Sequence, residues 1–311
     1  MEKIITLTLN PAFDRHCSCD GFLPHCENLA QTLSLDAGGK GVNCSRALTA
    51  NGTDNLALLI LGTNNADAFC RALREENIPY RAVLRAGSIR ENLTLHQKNA
   101  PETRISFSGF SADASALAEL DEILDREITH GNPFLLVFSG RLPDGISKKA
   151  CIAFLSAQRS KGAHLVIDSK SFTREELTEL RPVLIKPNEE ELSLLLPSEA
   201  DPLRAAHMLY AEGIGSVAVS LGERGALLIC DQGVFFATPP RISARSTIGA
   251  GDSFLAGFLS AIVRKCPADE RLQTAVAYGS AACLRDGTKP PLPHDVDRLL
   301  PLIKVEKINA L

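Results

Sequence analysis

The chain has 311 residues, a formal net charge of −4, 45% hydrophobic and 23% charged residues. That balance describes a globular chain with a sizeable core and excludes intrinsic disorder. The mildly acidic charge offers no basic footprint for nucleic acid, and no apolar run reaches the roughly 18 residues of a membrane span.

The elements alternate along the chain. MEKIITLTLNP has no signal-peptide pattern and reads as a first strand at 4–9, so the cytoplasm is the expected compartment. Residues 11–36 lack a convincing helix and hold candidate strands at 15–19 and 31–35. A glycine-rich loop at 38–52 runs into a helix. An apolar strand follows at 56–61 and a helix at 65–76. Residues 89–110 again lack a helix, and 92–97 and 103–108 alternate around a NAPE turn as a hairpin. Beyond a helix at 112–130, strands at 134–139, 164–168, 182–187 and 216–221 interleave with helices at 147–161 and 201–212. Continuous apolar strands separated by helices predict an α/β fold, with a mostly parallel central sheet covered by helices on both faces. The whole chain, 1–311, is expected to be one domain. The stretches 11–36 and 89–110 are expected to form together a small separate β-sheet over one edge, with an apolar face to cover a ligand, a neighbouring subunit or both.

In open α/β sheets a ligand sits beyond the carboxyl ends of the strands. Here those ends read Asn10 to Asp14, Ser139-Gly140-Arg141, Asp168-Ser169, Lys186-Pro187-Asn188 and Ser220-Leu221-Gly222, which is unusually polar and glycine-rich. Neither glycine-rich loop is a Walker A motif. Neither completes a dinucleotide fingerprint, because Cys44 and Phe254 stand where a third glycine is required, and this argues against a dehydrogenase. What such loops do supply is close backbone approach and the free N–H groups of a helix N-terminus, a setting for an anion. In STIGAGDSFLAGFLSAI (246–262), Asp252 stands at the mouth of a helix that is apolar almost all round. A carboxylate there can be an ordinary cap. A cap, however, needs no Gly-Ala-Gly before it, whereas a base beside a phosphate needs both the acid and the anion-binding backbone. The apolar helix would then hold that turn rigidly.

Nine cysteines, an odd count without a secretion signal, read as reduced thiols. Cys17 and Cys19 share a strand face but have no second pair with zinc-ligand spacing. The seven histidines (16, 25, 96, 130, 164, 207, 294) form no metal-like spacing and read as structural or exposed, with His96 on the lid face.

GGKGVNCSRALTANG and STIGAGDSFLAGFL resemble the two characteristic segments of the PfkB (ribokinase-like) carbohydrate kinases. TLNPAFD (8–14), IRENLTL (89–95), SGRLPDG (139–145), VIDS (166–169), IKPNEEEL (185–192) and VSLGERGA (219–226) fall in the order seen in that family's phosphosugar branch, which holds the 1-phosphofructokinases, tagatose-6-phosphate kinases and minor 6-phosphofructokinases. The match spans essentially the whole chain. It implies ATP-dependent phosphorylation of a ketohexose phosphate, with fructose 1-phosphate as the leading acceptor; tagatose 6-phosphate and fructose 6-phosphate stay open. A non-catalytic sugar-phosphate sensor would require a degraded Asp252 or glycine loop, and both are intact. By resemblance, Asp252 is the general base, and Gly249, Ala250 and Gly251 form the anion hole. Asp14, Gly39, Lys40, Asn43 and Ser139 hold the sugar, and Arg90 and Arg104 its phosphate. Lys186, Asn188, Ser220, Gly222, Thr247, Gly249 and Gly251 line the nucleotide site, and Asn188 with Glu191 organise Mg²⁺ through water. The resemblance also implies that 11–36 and 89–110 form a β-sheet lid, and that a homodimer forms through it. Two positions depart from the 1-phosphofructokinase pattern: Arg104 stands where glutamate is usual, and Asn28-Leu29 where Asn-Arg is usual.

Overall fold

The computed structural model describes residues 2–98, 100–128 and 132–309. Asn99 of the expected NAPE turn, the last residues of the expected 112–130 helix, and His130 lie outside the described residues. In chain order the strands are β1 (Lys3–Thr8), β2 (Ala12–Cys19), β3 (Gln31–Gly38), β4 (Asn55–Gly62), β5 (Tyr80–Arg85), β6 (Arg90–Gln97), β7 (Ala100–Ser106), β8 (Phe134–Ser139), β9 (Ala163–Asp168), β10 (Leu184–Ile185), β11 (Val217–Ser220), β12 (Ala226–Cys230), β13 (Gly233–Thr238) and β14 (Lys304–Ile308). The α-helices are α1 (Lys40–Ala50), α2 (Ala66–Glu75), α3 (Ala114–Glu127), α4 (Lys148–Ser160), α5 (Arg174–Leu180), α6 (Glu189–Leu195), α7 (Pro202–Ala211), α8 (Ala250–Val263), α9 (Ala268–Cys283) and α10 (Pro293–Leu299).

Among the described residues the main sheet runs β14-β13-β12-β11-β10-β9-β8-β1-β4-β5. From β5 to β11 every neighbouring pair is parallel, and β12 to β14 add an antiparallel edge. The expected mostly parallel sheet is therefore present. Strands β5, β12, β13 and β14 are additional to the expected set. The β12–β13 hairpin breaks the β/α alternation on which that expectation rested. Strand β10 is two residues long where 182–187 is expected, because Pro182 and Pro187 flank it and cannot donate to a ladder. Both faces are buried. One carries α3, α4, α5 and α7 over Leu7, Leu136 and Ile167, and the other carries α1, α8 and α9 over Ile4, Val137 and Val166.

Strands β3-β2-β6-β7 form a separate sheet, built from the two stretches expected to make the lid. Its alternation gives it two unlike faces. In register, Asp36, Asp14, Asn92 and Ser106 lie on one face, while Leu35, Arg15, Leu93 and Ile105 lie on the other. The polar face carries Asp14 to the carboxyl ends of the main sheet. On the other face, Phe13 packs edge-on against Phe69 at the base, and further out Leu35 and Ile105 are exposed. No helix among the described residues is long and apolar enough to cross a membrane.

Candidate active site

The apolar helix that poses the question of Asp252 is α8. Its residues from Asp252 to Ala261 are all buried, between α1, α9 and the sheet. Close packing is enforced at Gly257, where a Cβ would lie 2.8 Å from both the Thr274 carbonyl oxygen and the Tyr278 ring. Gly249 caps α8 at φ 77°, in the left-handed region that glycine adopts without cost. The first-turn N–H groups of α8 lack intrahelical acceptors by helix geometry and point out of the helix end. Gly251 faces Lys186: a Cβ there would be 3.4 Å from its ammonium.

Asp252 is buried, and its Oδ2 accepts a hydrogen bond from Asn43 Nδ2 at 2.8 Å. Burial, reinforced by the nearby Asp168 carboxylate, pushes its pKa up to about 6; Lys40, Asn43 and Lys186 oppose the rise. The carboxylate is thus ionised at neutral pH, yet a stronger base than an exposed aspartate. Asn43 is itself fixed, since its Oδ1 accepts from Arg46 Nη1 at 2.7 Å, and Arg46 is held by Glu76 and the Ala37 carbonyl. Arg46 was not among the expected site residues. Its spacing of three from Asn43 puts both on one face of α1, a signal present in the sequence but common to any helix.

Beside Asp252 lies a buried charge cluster. Lys40 Nζ donates to Asp168 Oδ1 at 2.9 Å and to Glu191 Oε1 at 3.2 Å, and Lys186 Nζ is 3.5 Å from Asp168 Oδ1. Burial works against the Lys40 charge, but Asp168, Glu191 and Asp252 outweigh it and hold its pKa above the ordinary lysine value. Burial likewise raises Asp168, but Lys186 and Lys40 outweigh it and leave the pKa below the usual carboxylate range. Three buried oxygens along this strand-tip row, Thr8 Oγ1, Ser139 Oγ and Asp168 Oδ2, have no hydrogen-bond partner. Asn188 and Glu191 form a reciprocal capping box at α6: Glu191 N donates to Asn188 Oδ1 at 2.8 Å, and Asn188 N to Glu191 Oε2 at 3.1 Å. Ser220 bridges to Asn188 at the next strand tip, with Gly222 in open space and Thr247 exposed nearby in chain before α8. Among the described residues no group of three or more His, Cys, Asp or Glu forms a self-sufficient metal cage.

The lid supplies the other wall. Asp14 is half-buried, and its Oδ1 accepts from Asn92 Nδ2 at 2.8 Å. Burial raises its pKa, with Asn92, Arg90 and His16 opposing. Gly38 makes room for it, since a Cβ would fall 2.1 Å from Asp14 Oδ2. Gly39 follows at φ 118° and lets the chain turn over Pro11 into α1. Arg90 donates to Asn10 Oδ1 at 3.2 Å and Asn92 Oδ1 at 2.7 Å. Burial lowers its pKa, and so does the neighbouring Arg141, an exposed guanidinium that was not among the expected residues. The two like charges repel each other, and no carboxylate forms an ion pair with either among the described residues. Arg104 shares the polar face of the lid but stands on its edge strand, exposed and paired with Glu102 at 3.3 Å, apart from Arg90. The histidines form a pair that the sequence does not announce. His16 Nδ1 and His96 Nε2 are 3.0 Å apart with stacked rings, and His96 Nδ1 is 3.3 Å from Glu102. All nine cysteines are free.

The parallel sheet, the glycine-led start of α8 and the buried aspartate beside it are those of a phosphotransferase of the ribokinase-like class. The model of the pfkB family carbohydrate kinases matches residues 8–295, and the chain belongs to that family. It is 33% identical over 293 residues to the 1-phosphofructokinase of Escherichia coli K12, covering 90% of this chain and 91% of that one. It is 30% identical to the 1-phosphofructokinase of Bacillus subtilis 168, covering 98% and 100%. Its fold matches the crystal structure of Escherichia coli phosphofructokinase-2 in complex with fructose-6-phosphate, with a TM-score of 0.88, 27% identity, and coverage of 97% and 99%.

Proposed function

We propose that the chain, as a single catalytic unit with its lid, transfers the γ-phosphoryl group of ATP to the free hydroxymethyl group of fructose 1-phosphate, giving fructose 1,6-bisphosphate and ADP. The observation that carries this reading is Asp252: a buried carboxylate of raised basicity, aimed by Asn43, in the first turn of α8 behind the left-handed Gly249. Asp252 takes the proton of the acceptor hydroxyl as its oxygen attacks the γ-phosphorus. The bond to the β-phosphate oxygen breaks, and ADP leaves. The amides of Gly249, Ala250 and Gly251 and the Lys186 ammonium face the charge that spreads over the transferring oxygens. Asp14 and Asn92 grip the sugar hydroxyls, and Arg90 with Arg141 takes the phosphate already on the sugar. Asn188, Ser220, Gly222 and Thr247 border the nucleotide.

Mg²⁺ fits the cluster on the evidence of its donors. Asp168 Oδ2 is a buried oxygen without a partner, and Glu191 Oε1 is joined to the other oxygen of the same carboxylate through Lys40. A hard cation that keeps several waters and shares phosphate oxygens needs only one or two such carboxylates. When bound, it neutralises charge between the β- and γ-phosphates. Asp168 and Glu191 would hold it, with the Asn188 capping box fixing the Glu191 rotamer.

The exposed apolar row of the lid supports a homodimer closed through that face, and nine unpaired thiols support a reducing, cytoplasmic setting. Turnover by coupled ADP release, measured side by side on fructose 1-phosphate, fructose 6-phosphate and tagatose 6-phosphate, tests the assignment. The expected result is a kcat/KM on fructose 1-phosphate at least about tenfold above the others, roughly 1.4 kcal/mol. A higher value on fructose 6-phosphate would shift the assignment to that acceptor.

A further inference from the structure

Lys40, expected among the sugar-binding residues, points the other way. Its ammonium lies against Asp168 Oδ1 and Glu191 Oε1, the two acids on the nucleotide side, and makes no hydrogen bond to Asp14. Those carboxylates have few other arrangements open to them. Glu191 Oε2 is committed to the Asn188 amide, so Oε1 is the oxygen it can offer a cation. Asp168 is buried, with Lys186 as its other cationic neighbour. The lysine therefore already holds the two carboxylates assigned above to the divalent cation, on Glu191 Oε1 and on the Oδ1 of Asp168, beside the unpartnered Oδ2. It is also the first residue of α1, on a long flexible stem and partly exposed, so it can leave without unfolding the helix.

We propose that Lys40 is a built-in competitor of the divalent cation: its ammonium joins Asp168 to Glu191 while no metal is present, and gives both carboxylates up when the metal–nucleotide complex arrives. This rests on the metal assignment to Asp168 and Glu191 made above. The physical reason for such a device is the buried acid pair. Without a cation, Asp168, Glu191 and Asp252 would face one another in a low-dielectric pocket, and a movable lysine balances them in the empty enzyme. Competition for one pair of carboxylates is a coupling free energy, and so appears in binding whatever the chemistry does.

The test measures AMP-PNP affinity by calorimetry, with saturating Mg²⁺ and with EDTA, in wild type, Lys40→Met, Lys40→Gln and Glu191→Gln. The ratio of the two affinities cancels any direct contact of Lys40 with the nucleotide. Both Lys40 variants are expected to raise this metal enhancement by about tenfold or more, within the span usual for coupled sites. Glu191→Gln is expected to lower it. In a crystal of the wild-type Mg²⁺·AMP-PNP complex, Lys40 Nζ should have left both carboxylates. An enhancement unchanged or reduced in the Lys40 variants, with Glu191→Gln still lowering it, would overturn the competition and leave the metal assignment standing. Lys40 still joining Asp168 to Glu191 beside a bound metal would do the same. An enhancement unaffected by Glu191→Gln would overturn both.

Discussion

Asp252 has two measurable consequences that pull in opposite directions. As the base, its loss removes a proton acceptor from the transition state, and general acid–base steps contribute typically about 10²–10⁴-fold. Asp252→Asn should therefore cut kcat by about a hundredfold or more in the coupled assay; a loss within about tenfold would remove the base assignment. As a buried charge, it destabilises the fold. Its folded pKa of about 6 lies above that of an unfolded aspartate, so the cost is fully present above pH 6 and is relieved as pH falls through 6. Asp252→Asn should raise stability at pH 8 by on the order of 1–3 kcal/mol, a gain that shrinks toward pH 5 in thermal melts. The same pKa sets the acid limb of activity. Protonated Asp252 cannot accept the hydroxyl proton, so kcat/KM should fall about tenfold per pH unit below pH 6, with the limb absent in Asp252→Asn.

At the scale of elements, the site depends on where helices start. Helix α8 begins at Gly249 because the chain arrives in a left-handed turn, and it is driven into the core between α1 and α9 by Phe254, Leu255, Phe258 and Leu259. A side chain at Gly257 would collide with α9, so Gly257→Val should cost several kcal/mol, above the about 1–3 kcal/mol of ordinary overpacking because backbone is struck. A denaturant melt unchanged by it would contradict the close α8–α9 packing. Helix α1 holds Asn43 and Arg46 on one face, so one short helix both aims the base and braces what aims it. Helix α6 is the clearest case of a motif with two meanings. N-x-x-E is a capping box in this fold, and the glutamate oxygen left over by the cap is the one that accepts from Lys40.

At the scale of the molecule, the lid joins the halves of the site. Its polar face brings Asp14, Asn92 and Arg90 over the sheet tips, and its outer face leaves Leu35 and Ile105 uncovered. If that face is a subunit interface, Ile105→Asp should convert a dimer to a monomer in light scattering at micromolar concentration, while the fold survives because the residue is not in the core. His16 also belongs to this scale. It stacks on His96 within the lid and lies beside Gly287, near which Thr288 approaches Gly249, so the lid touches the loop that borders the start of α8.

The parallel core was legible because continuous apolar strands alternating with helices have few other folds open to them. The start of α8 was legible because Gly-Ala-Gly-Asp stands directly before an apolar run, and glycine supplies the left-handed φ that the turn needs. The antiparallel edge β12 to β14 was not, since its strands carry no helix between them to mark the period. Local sequence, through glycine, periodicity and polar strand tips, determined the fold class, the position of Asp252 and the two faces of the lid, because each depends on residues within a few positions of one another. Tertiary structure alone decided that Lys40 turns to Asp168 and Glu191, that Arg141 meets Arg90, that Arg46 braces Asn43 through Glu76, and that His16 finds His96. Those contacts join residues tens to hundreds of positions apart, where only the packed chain sets which charge lies within reach of which.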